Sequence, residues 1–412
     1  MRLLFLTNLY PPHEIGGYEQ WCQEVAVRLR AKGHSVSILT SRLRRVDLPD
    51  SEPDVIRTLH LQADLYQYRP IDFFLKRAGQ ERFNKRELRR VIDEINPELL
   101  VVWGMWNLSL NLPYWAEQWM PGRVAYFVSS YWPDDIDIHA EYWRLPGNRA
   151  LTELCKKPAR ALAFAQLRRE GYPPALAFEH AVCCSHYVRN TLVQAGKLPV
   201  QAAVLYGGID TEPFIRHVEA RERFQDNTLN LLFFGTLIPS KGVHVALEAL
   251  GLLKQRGISE QVSLTILGSG HPDYEARLHT MVDTLGLQGN VHFVKRIPRD
   301  EIPLWLSRCD VFLFTSSWAE PMARTVMEAM AAGLLVIGSE VGGQVEMLVN
   351  GENALTFEAG DAVGLANQIA YVLDEPELRL RLVDAGRNQV LERFTLERMV
   401  DNMETWLGSI VQ

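Results

Sequence analysis

CDVFLFTSSWAEPMARTVMEAMAAGLLVIG, residues Cys309 to Gly338, holds the most specific chemistry of the chain. An apolar run, Val311 to Phe314, gives way to a polar turn ending at Glu320-Pro321, a helix-like segment to Ala332, Gly333 and a second apolar run. That order is strand, loop, helix, strand. Proline suits the first position of a helix, so Pro321 is expected to start this one, with the amides of Met322, Ala323, Arg324 and Thr325 pointing outward. Such an N-terminus suits a phosphate. Glu320 stands just before it and Glu328 about two turns in. Carboxylates do not usefully meet phosphate, but they accept hydrogen bonds from sugar hydroxyls. The stretch therefore predicts one place for a diphosphate and two for sugars.

Working outward, the same alternation continues on both sides. Toward the N-terminus, strands are expected at Leu229 to Phe234, Gln261 to Leu267 and Asn290 to Val294, with helices at Val243 to Gln255, Tyr274 to Thr284 and Arg299 to Ser307. Toward the C-terminus comes VGGQVEML, with Gly342, Gly343 and Glu346, and then a tail, Asp361 to Val411, helical throughout with a break at Pro376. In FFGTLIPSKGV, Gly235 and Thr236 end a strand and Lys241 begins a helix, where an ammonium could neutralise a phosphate. Alone, such a lysine is more often a solvated helix start. Gly268 and Gly270 in ILGSG allow close backbone approach. The loop at Arg296-Ile297 could read a base through its backbone.

The first half opens with a strand, Arg2 to Thr7, then NLYPPHEIGG, whose Gly16-Gly17 lead into an amphipathic helix, Tyr18 to Ala31. Strand-like runs follow at His34 to Thr40, Leu99 to Trp103, Arg123 to Val128, Ala177 to Cys184 and Val200 to Leu205. This is a second doubly wound α/β unit. A polar stretch, Asp210 to Asn227, has the composition of a linker. The expected domains are 1–205, 206–390 and a C-terminal helix, 391–412, returning to the first domain, with a ligand cleft between the two halves. Two basic, aromatic-rich segments, Arg69 to Arg90 and Tyr142 to Arg169, read either as solvated helix faces or as a patch attracted to anionic lipid.

Bulk numbers narrow the class. A chain of 412 residues, 47% hydrophobic and 23% charged, is a multi-domain globular protein. Its net charge of -7 argues against bulk nucleic-acid binding. No run approaches the length of a membrane span, and Leu3 to Leu6 is too short for a signal peptide. The five cysteines, Cys22, Cys155, Cys183, Cys184 and Cys309, form no C-x-x-C pair, so neither a disulfide framework nor a zinc site is indicated and a reducing cytoplasm is the expectation.

Taken in order, the glycine loop Pro11 to Gly17, the YGGID turn Tyr206 to Asp210, G-x5-KG (Gly235 to Gly242), ILGSG, Glu320 and Glu328, the EAMAAG ending, and GGxxE (Gly342 to Glu346) resemble the retaining glycosyltransferases of family 4, of GT-B fold. The resemblance implies a nucleotide-diphosphate sugar as donor, no metal or other cofactor, and a saccharide or lipid-linked acceptor. It places Gly16, Gly17, Lys241 and the amides around Ala323 to Thr325 against the diphosphate, Glu328 on the ribose and Glu320 on the transferred sugar. It implies work in surface polysaccharide or glycolipid assembly, in the cytoplasm or on the inner face of the membrane. This chain departs from the family at Thr236, where an arginine is common, and at Ala323, where glycine is frequent. Ser129-Ser130-Tyr131-Trp132 also replaces a histidine. Ser130, Trp132 or His13 would then meet the sugar or acceptor, although His13 otherwise reads as a polar surface residue. The competing readings are a non-catalytic scaffold of the same fold and a nucleotide-sugar epimerase.

Overall fold

The computed structural model describes residues 1–44, 52–65, 67–147, 150–216 and 228–411. Chain contacts divide it into two compact units: Met1–Cys184, Val188–Leu205 and Val400–Gln412 form the first, and Ser185–Tyr187 with Tyr206–Met399 the second.

The first unit is built on seven parallel strands: β1 (Arg2–Leu6), β2 (Ser35–Ser41), β3 (Val55–Leu59), β4 (Leu99–Val102), β5 (Val124–Val128), β6 (His180–Cys183) and β7 (Ala203–Val204). They lie in the order β3-β2-β1-β4-β5-β6-β7. The central strands are apolar on both faces because helices cover both: all of β4 and β5 and the last four residues of β1 are buried. Chain order reverses between β1 and β4, the crevice where open parallel sheets bind ligands. The C-terminal helix, Leu396–Val411, gives this unit buried Val400, Met403 and Leu407. There Lys32 pairs with Asp401 and Glu404, each at 2.6 Å.

The second unit has six parallel strands: β8 (Leu229–Phe234), β9 (Val262–Leu267), β10 (Val291–Val294), β11 (Val311–Phe314), β12 (Leu335–Ser339) and β13 (Leu355–Phe357). Their order is β10-β9-β8-β11-β12-β13, so this sheet reverses between β8 and β11. One face is packed by the helices Val243–Gln255 and Ala362–Asp374 through Leu247, Leu250, Leu365 and Ile369. The YGGID turn closes the unit on itself: Ile209 donates to the Phe394 carbonyl at 2.9 Å, and the Leu396 amide donates back at 2.8 Å. A side chain at Gly208 would meet the Thr395 carbonyl oxygen at 2.2 Å.

Several expectations are corrected. Strands β3 and β13 are edge strands whose brief patterns the alternation missed, and the run to Leu205 yields only two residues of strand. The expected linker begins instead with a turn of helix, Glu212–Ile215, that buries Phe214. Its remainder, 217–227, lies outside the described residues. The aromatic residues of the two basic segments largely face inward rather than outward. Phe73, Trp143, Ala163, Leu167 and Tyr172 form a core cluster flanked by Phe74, Tyr142 and Phe164. Arg77, 3% exposed, sits over the rings of Phe73 and Tyr172 and pairs with Glu170.

His139 belongs to this cluster. It is 2% exposed, stands edge-on to Phe73, and its Nδ1 shares a 2.8 Å hydrogen bond with the Tyr68 hydroxyl. Burial is the main cause that pushes its imidazole down to about 4; Asp137 and Glu170 pull it back up, and Arg77 pushes it further down. The unfolded chain therefore takes up a proton near the ordinary histidine value of about 6.5 while the folded chain does not. His139 stabilises fully above that value, and its contribution falls away as the pH drops toward 4. The loss is expected to be on the order of 3 kcal/mol. Urea unfolding of His139→Gln should show a shallower fall in stability between pH 7 and pH 4 than the parent chain; parallel slopes would refute this.

Candidate active site

The chemistry expected around Glu320 forms where β8 and β11 part. After β8 the chain makes a 3-10 turn, Pro239–Lys241, and enters the helix Val243–Gln255 through Gly242. Gly242 has φ 69°, and a Cβ there would lie 1.9 Å from the carbonyl oxygen of Thr315, the residue after β11. Glycine is required because the two strand exits touch through bare backbone. The hydroxyls of the Thr315-Ser316-Ser317 run join them. Thr315 donates to the Lys241 carbonyl at 2.8 Å, and Ser316 and Ser317 donate to the Ser240 carbonyl at 3.1 and 3.3 Å.

This fastening puts Lys241 beside Glu320. The Lys241 ammonium donates to Glu320 Oε1, and the Ser316 hydroxyl lies 3.1 Å from the same oxygen, its one proton shared between this carboxylate and the Ser240 carbonyl. Glu320 is only 9% exposed. Its backbone is held by the GGxxE loop: the Gly343 amide donates to the Glu320 carbonyl at 2.7 Å. Side chains at Gly342 and Gly343 would meet the Glu320 and Pro321 carbonyl oxygens at 2.2 and 2.0 Å. Glu346 has a supporting role, accepting from the amides of His186 and Tyr187 and from the Tyr206 hydroxyl.

The helix after this turn is Arg324–Ala331, with Ala323 as its N-cap. Pro321 therefore does not start it, as the sequence suggested. The Pro321 carbonyl is taken by the Ser185 hydroxyl at 2.8 Å, and Ala323 is still extended before the helix begins. Of the four amides assigned to phosphate, those of Arg324 and Thr325 belong to the first turn, while Met322 and Ala323 are buried residues of the approach. Glu328 lies inside this helix, 1% exposed, with Oε1 accepting from Arg299 at 2.6 Å and standing 3.9 Å from Arg324 Nε. Its Oε2 is buried with no hydrogen-bond partner among the described residues.

Two clusters thus emerge from one loop and helix: Lys241, Ser316 and Glu320, and then Glu328 with Arg299 and Arg324. Sequence reading missed Arg299 and the hydroxyl run. Their signals were PRDE just after the Arg296-Ile297 loop and TSS just after a strand. Two cations are candidates to replace an arginine at Thr236: Arg324 is drawn to Glu328, and Arg296 keeps an exposed side chain while its amide donates to Ser269 at 3.3 Å. Thr236 is exposed and Ile297 half-buried. Gly268 and Gly270 abut the backbone of the β8 exit, where added side chains would meet the Gly235 and Leu237 carbonyl oxygens, each at 1.9 Å.

In the first unit, Gly16 caps the helix Gly17–Ala31, and its amide donates to Glu19 Oε2 at 2.9 Å. Burial holds the Glu19 carboxyl above the usual range. His13 is fully buried, which corrects its reading as a surface residue. Trp132 is 4% exposed and packed against Tyr126 and Phe178, while Ser130 is half-buried. Among the described residues no three His, Cys, Asp or Glu side chains converge as metal ligands do, and no helix is long and apolar enough to cross a membrane.

Comparison with known proteins places both units. Residues 15–213 match the model of Glycosyltransferase Family 4, and residues 215–389 match that of Glycosyl transferases group 1. The chain is 30% identical over 171 residues to the lipopolysaccharide core biosynthesis glycosyltransferase LpsE of Rhizobium meliloti, an alignment spanning 42% of this chain and 47% of LpsE. It is 29% identical to a glycogen synthase of Mycobacterium tuberculosis over 96% of this chain and 91% of that protein. The crystal structure of Anabaena Alr3699/HepE in complex with UDP shares the fold, with a TM-score of 0.69 at 20% identity, covering 99% of this chain and all of that one.

The contact at Gly242 yields a direct test. In Gly242→Ala the left-handed backbone and the Thr315 carbonyl both oppose the new methyl group, and the expected loss is about 2–4 kcal/mol in chemical unfolding. A variant as stable as the parent would mean that the two strand exits can separate at little cost.

Proposed function

This chain belongs to the glycosyltransferases of family 4 type and GT-B fold, and from that premise we propose that it moves a sugar from a nucleotide-diphosphate donor to a saccharide or lipid-linked acceptor with retention of configuration. The observation that carries the reading is the Lys241–Glu320 pair at the reversal between β8 and β11, one short turn ahead of a helix N-terminus. The donor diphosphate draws the Lys241 ammonium from Glu320 and is capped by the amides of Arg324 and Thr325. Glu320, released, accepts from hydroxyls of the transferred sugar, and Glu328 accepts from the ribose. The bond between the anomeric carbon and the diphosphate breaks as the acceptor oxygen bonds the same face of that carbon. The acceptor proton passes to a diphosphate oxygen. Negative charge builds on the leaving group, so fixed positive charge there lowers the barrier. No metal ion has a part in this scheme. The matches to LpsE and to Alr3699/HepE in complex with UDP support a nucleotide-sugar donor and a role in assembling surface polysaccharide or glycolipid.

A cytoplasmic site of action, against the inner face of the membrane, is the second part of the proposal. Cys22 and Cys183 are buried free thiols, as suits a reducing compartment. On the helix Ala150–Arg169, Leu154, Pro158, Ala161, Leu162 and Ala165 form an exposed apolar stripe at helical spacing, opposite the face that packs Ala163 and Leu167. Leu154 and Leu162 are 67% and 61% exposed. Lys157, Arg168 and Arg169 lie on the same face, a combination suited to the interface of an anionic bilayer.

Lys241→Ala and Glu320→Ala are each expected to lower sugar transfer about 100- to 1,000-fold, as loss of one transition-state contact does. Failure of the parent protein to bind any nucleotide diphosphate, and to turn over any common donor, would overturn the enzymatic reading in favour of a scaffold. For the membrane, the protein should float with phosphatidylglycerol vesicles at low salt, and Leu154→Glu/Leu162→Glu should not; a parent protein that stays unbound at low salt would exclude this docking face.

A further inference from the structure

A cavity of about 310 Å³ opens in the first unit, just past the C-terminal ends of β2 and β3. It is distinct from the residues that the sequence put forward for the acceptor, since none of His13, Ser130 and Trp132 lines it. Its volume is at the small end of sites for organic ligands, the size of a sugar with one substituent. The edge it occupies is the one where parallel sheets bind ligands.

The lining has a sign. Arg42 follows directly on β2, His60 directly on β3, and Arg44 and Arg69 complete the basic wall. Arg42 and Arg69 are exposed, and neither forms an ion pair with a described residue. The two carboxylates of the wall have local partners: Asp72 pairs with Lys76 at 3.0 Å, and Asp64 accepts from the Gln67 amide at 3.2 Å. Burial, and then the Arg42 charge, lower the His60 imidazole, so at neutral pH the positive charge of the wall is that of Arg42, Arg44 and Arg69. The floor is neutral and rigid: His139 is hydrogen-bonded to Tyr68, whose ring stacks on Tyr142 at 4.1 Å between centroids. Guanidinium groups present paired donors that match carboxylate or phosphate oxygens, and a planar wall such as Tyr68 offers an apolar face to a sugar ring.

We propose that this cavity is the acceptor site, and that it takes an anionic saccharide whose phosphate or carboxylate is bound by Arg42 and Arg69. The assignment rests on the glycosyltransferase reading for its saccharide and on the charge of the cavity for its anion. It is also consistent with the chain's net charge of -7, since a local basic wall in an acidic protein is a directed feature rather than part of a general attraction to polyanions.

Isothermal titration of the full chain with glucose 6-phosphate, glucuronate and glucose tests it. One or both anionic probes are expected to bind at least about tenfold more tightly than glucose, and which of them does so distinguishes phosphate from carboxylate recognition. Arg42→Ala/Arg69→Ala should remove that preference, and Arg42→Lys/Arg69→Lys should restore part of it, as expected when charge is kept but the fork is lost. Equal affinities for the three probes, no binding of any of them, or an unchanged preference in the alanine variant would each overturn the proposal. A parallel titration with UDP, GDP and ADP keeps the two readings apart. Nucleotide binding without an anion preference defeats this inference alone, whereas an anion preference without nucleotide binding defeats the donor reading and leaves the anion site standing.

Discussion

The contact on which the second unit depends is the bare approach of the Gly242 backbone to the Thr315 carbonyl. Parallel strands that part in opposite directions leave a crevice, but they do not by themselves fix what lines it. Here the missing side chain at Gly242 lets the two exits touch, and three consecutive hydroxyl residues sew them together. Lys241 and Glu320, separated by 79 positions in the chain, become neighbours as a result. The same device recurs on the far side of Glu320, where Gly342 and Gly343 admit the Glu320 and Pro321 carbonyls. Glu320 is thus clamped from two directions by backbone contacts that tolerate no side chain.

The two glutamates differ in how their charge is met, and this bears on their chemistry. Glu320 shares one oxygen between an ammonium and a hydroxyl, and its lysine partner is partly exposed. A ligand phosphate can compete for such a partner. Glu328 is deeper and faces two guanidiniums, one buried with it and one on the surface. A carboxylate without partners at that depth would be strongly unfavourable, and Arg299 and Arg324 supply them. Its second oxygen keeps unused hydrogen-bonding capacity.

In the first unit, the basic and aromatic segments serve two purposes that composition cannot separate. Their rings close a satellite core around Trp143 and Phe73, with Arg77 and His139 buried in it. What remains outside is an apolar stripe with lysine and arginine on one helix, and a basic wall around a cavity. Only Arg69 of that wall comes from these segments; Arg42 and Arg44 reach it from the end of β2.

The sequence alone determined the two doubly wound halves, since burial on both faces of a parallel strand and on one face of a helix writes a local period into the chain. It also marked the glycine positions and the pair Glu320 and Glu328, whose order carried the resemblance to family 4 and the GT-B fold. Short edge strands such as β3 and β13 escaped because a few residues cannot establish a period. Only the tertiary structure decided that Lys241 answers Glu320, that Arg299 answers Glu328, that the helix waits until Arg324 to begin, and that His13 and Trp132 are enclosed. These outcomes depend on which strand ends lie side by side, and so on contacts between residues tens of positions apart. A local pattern specifies the element; the partner of a charge is chosen by the packing of elements that the pattern never compares.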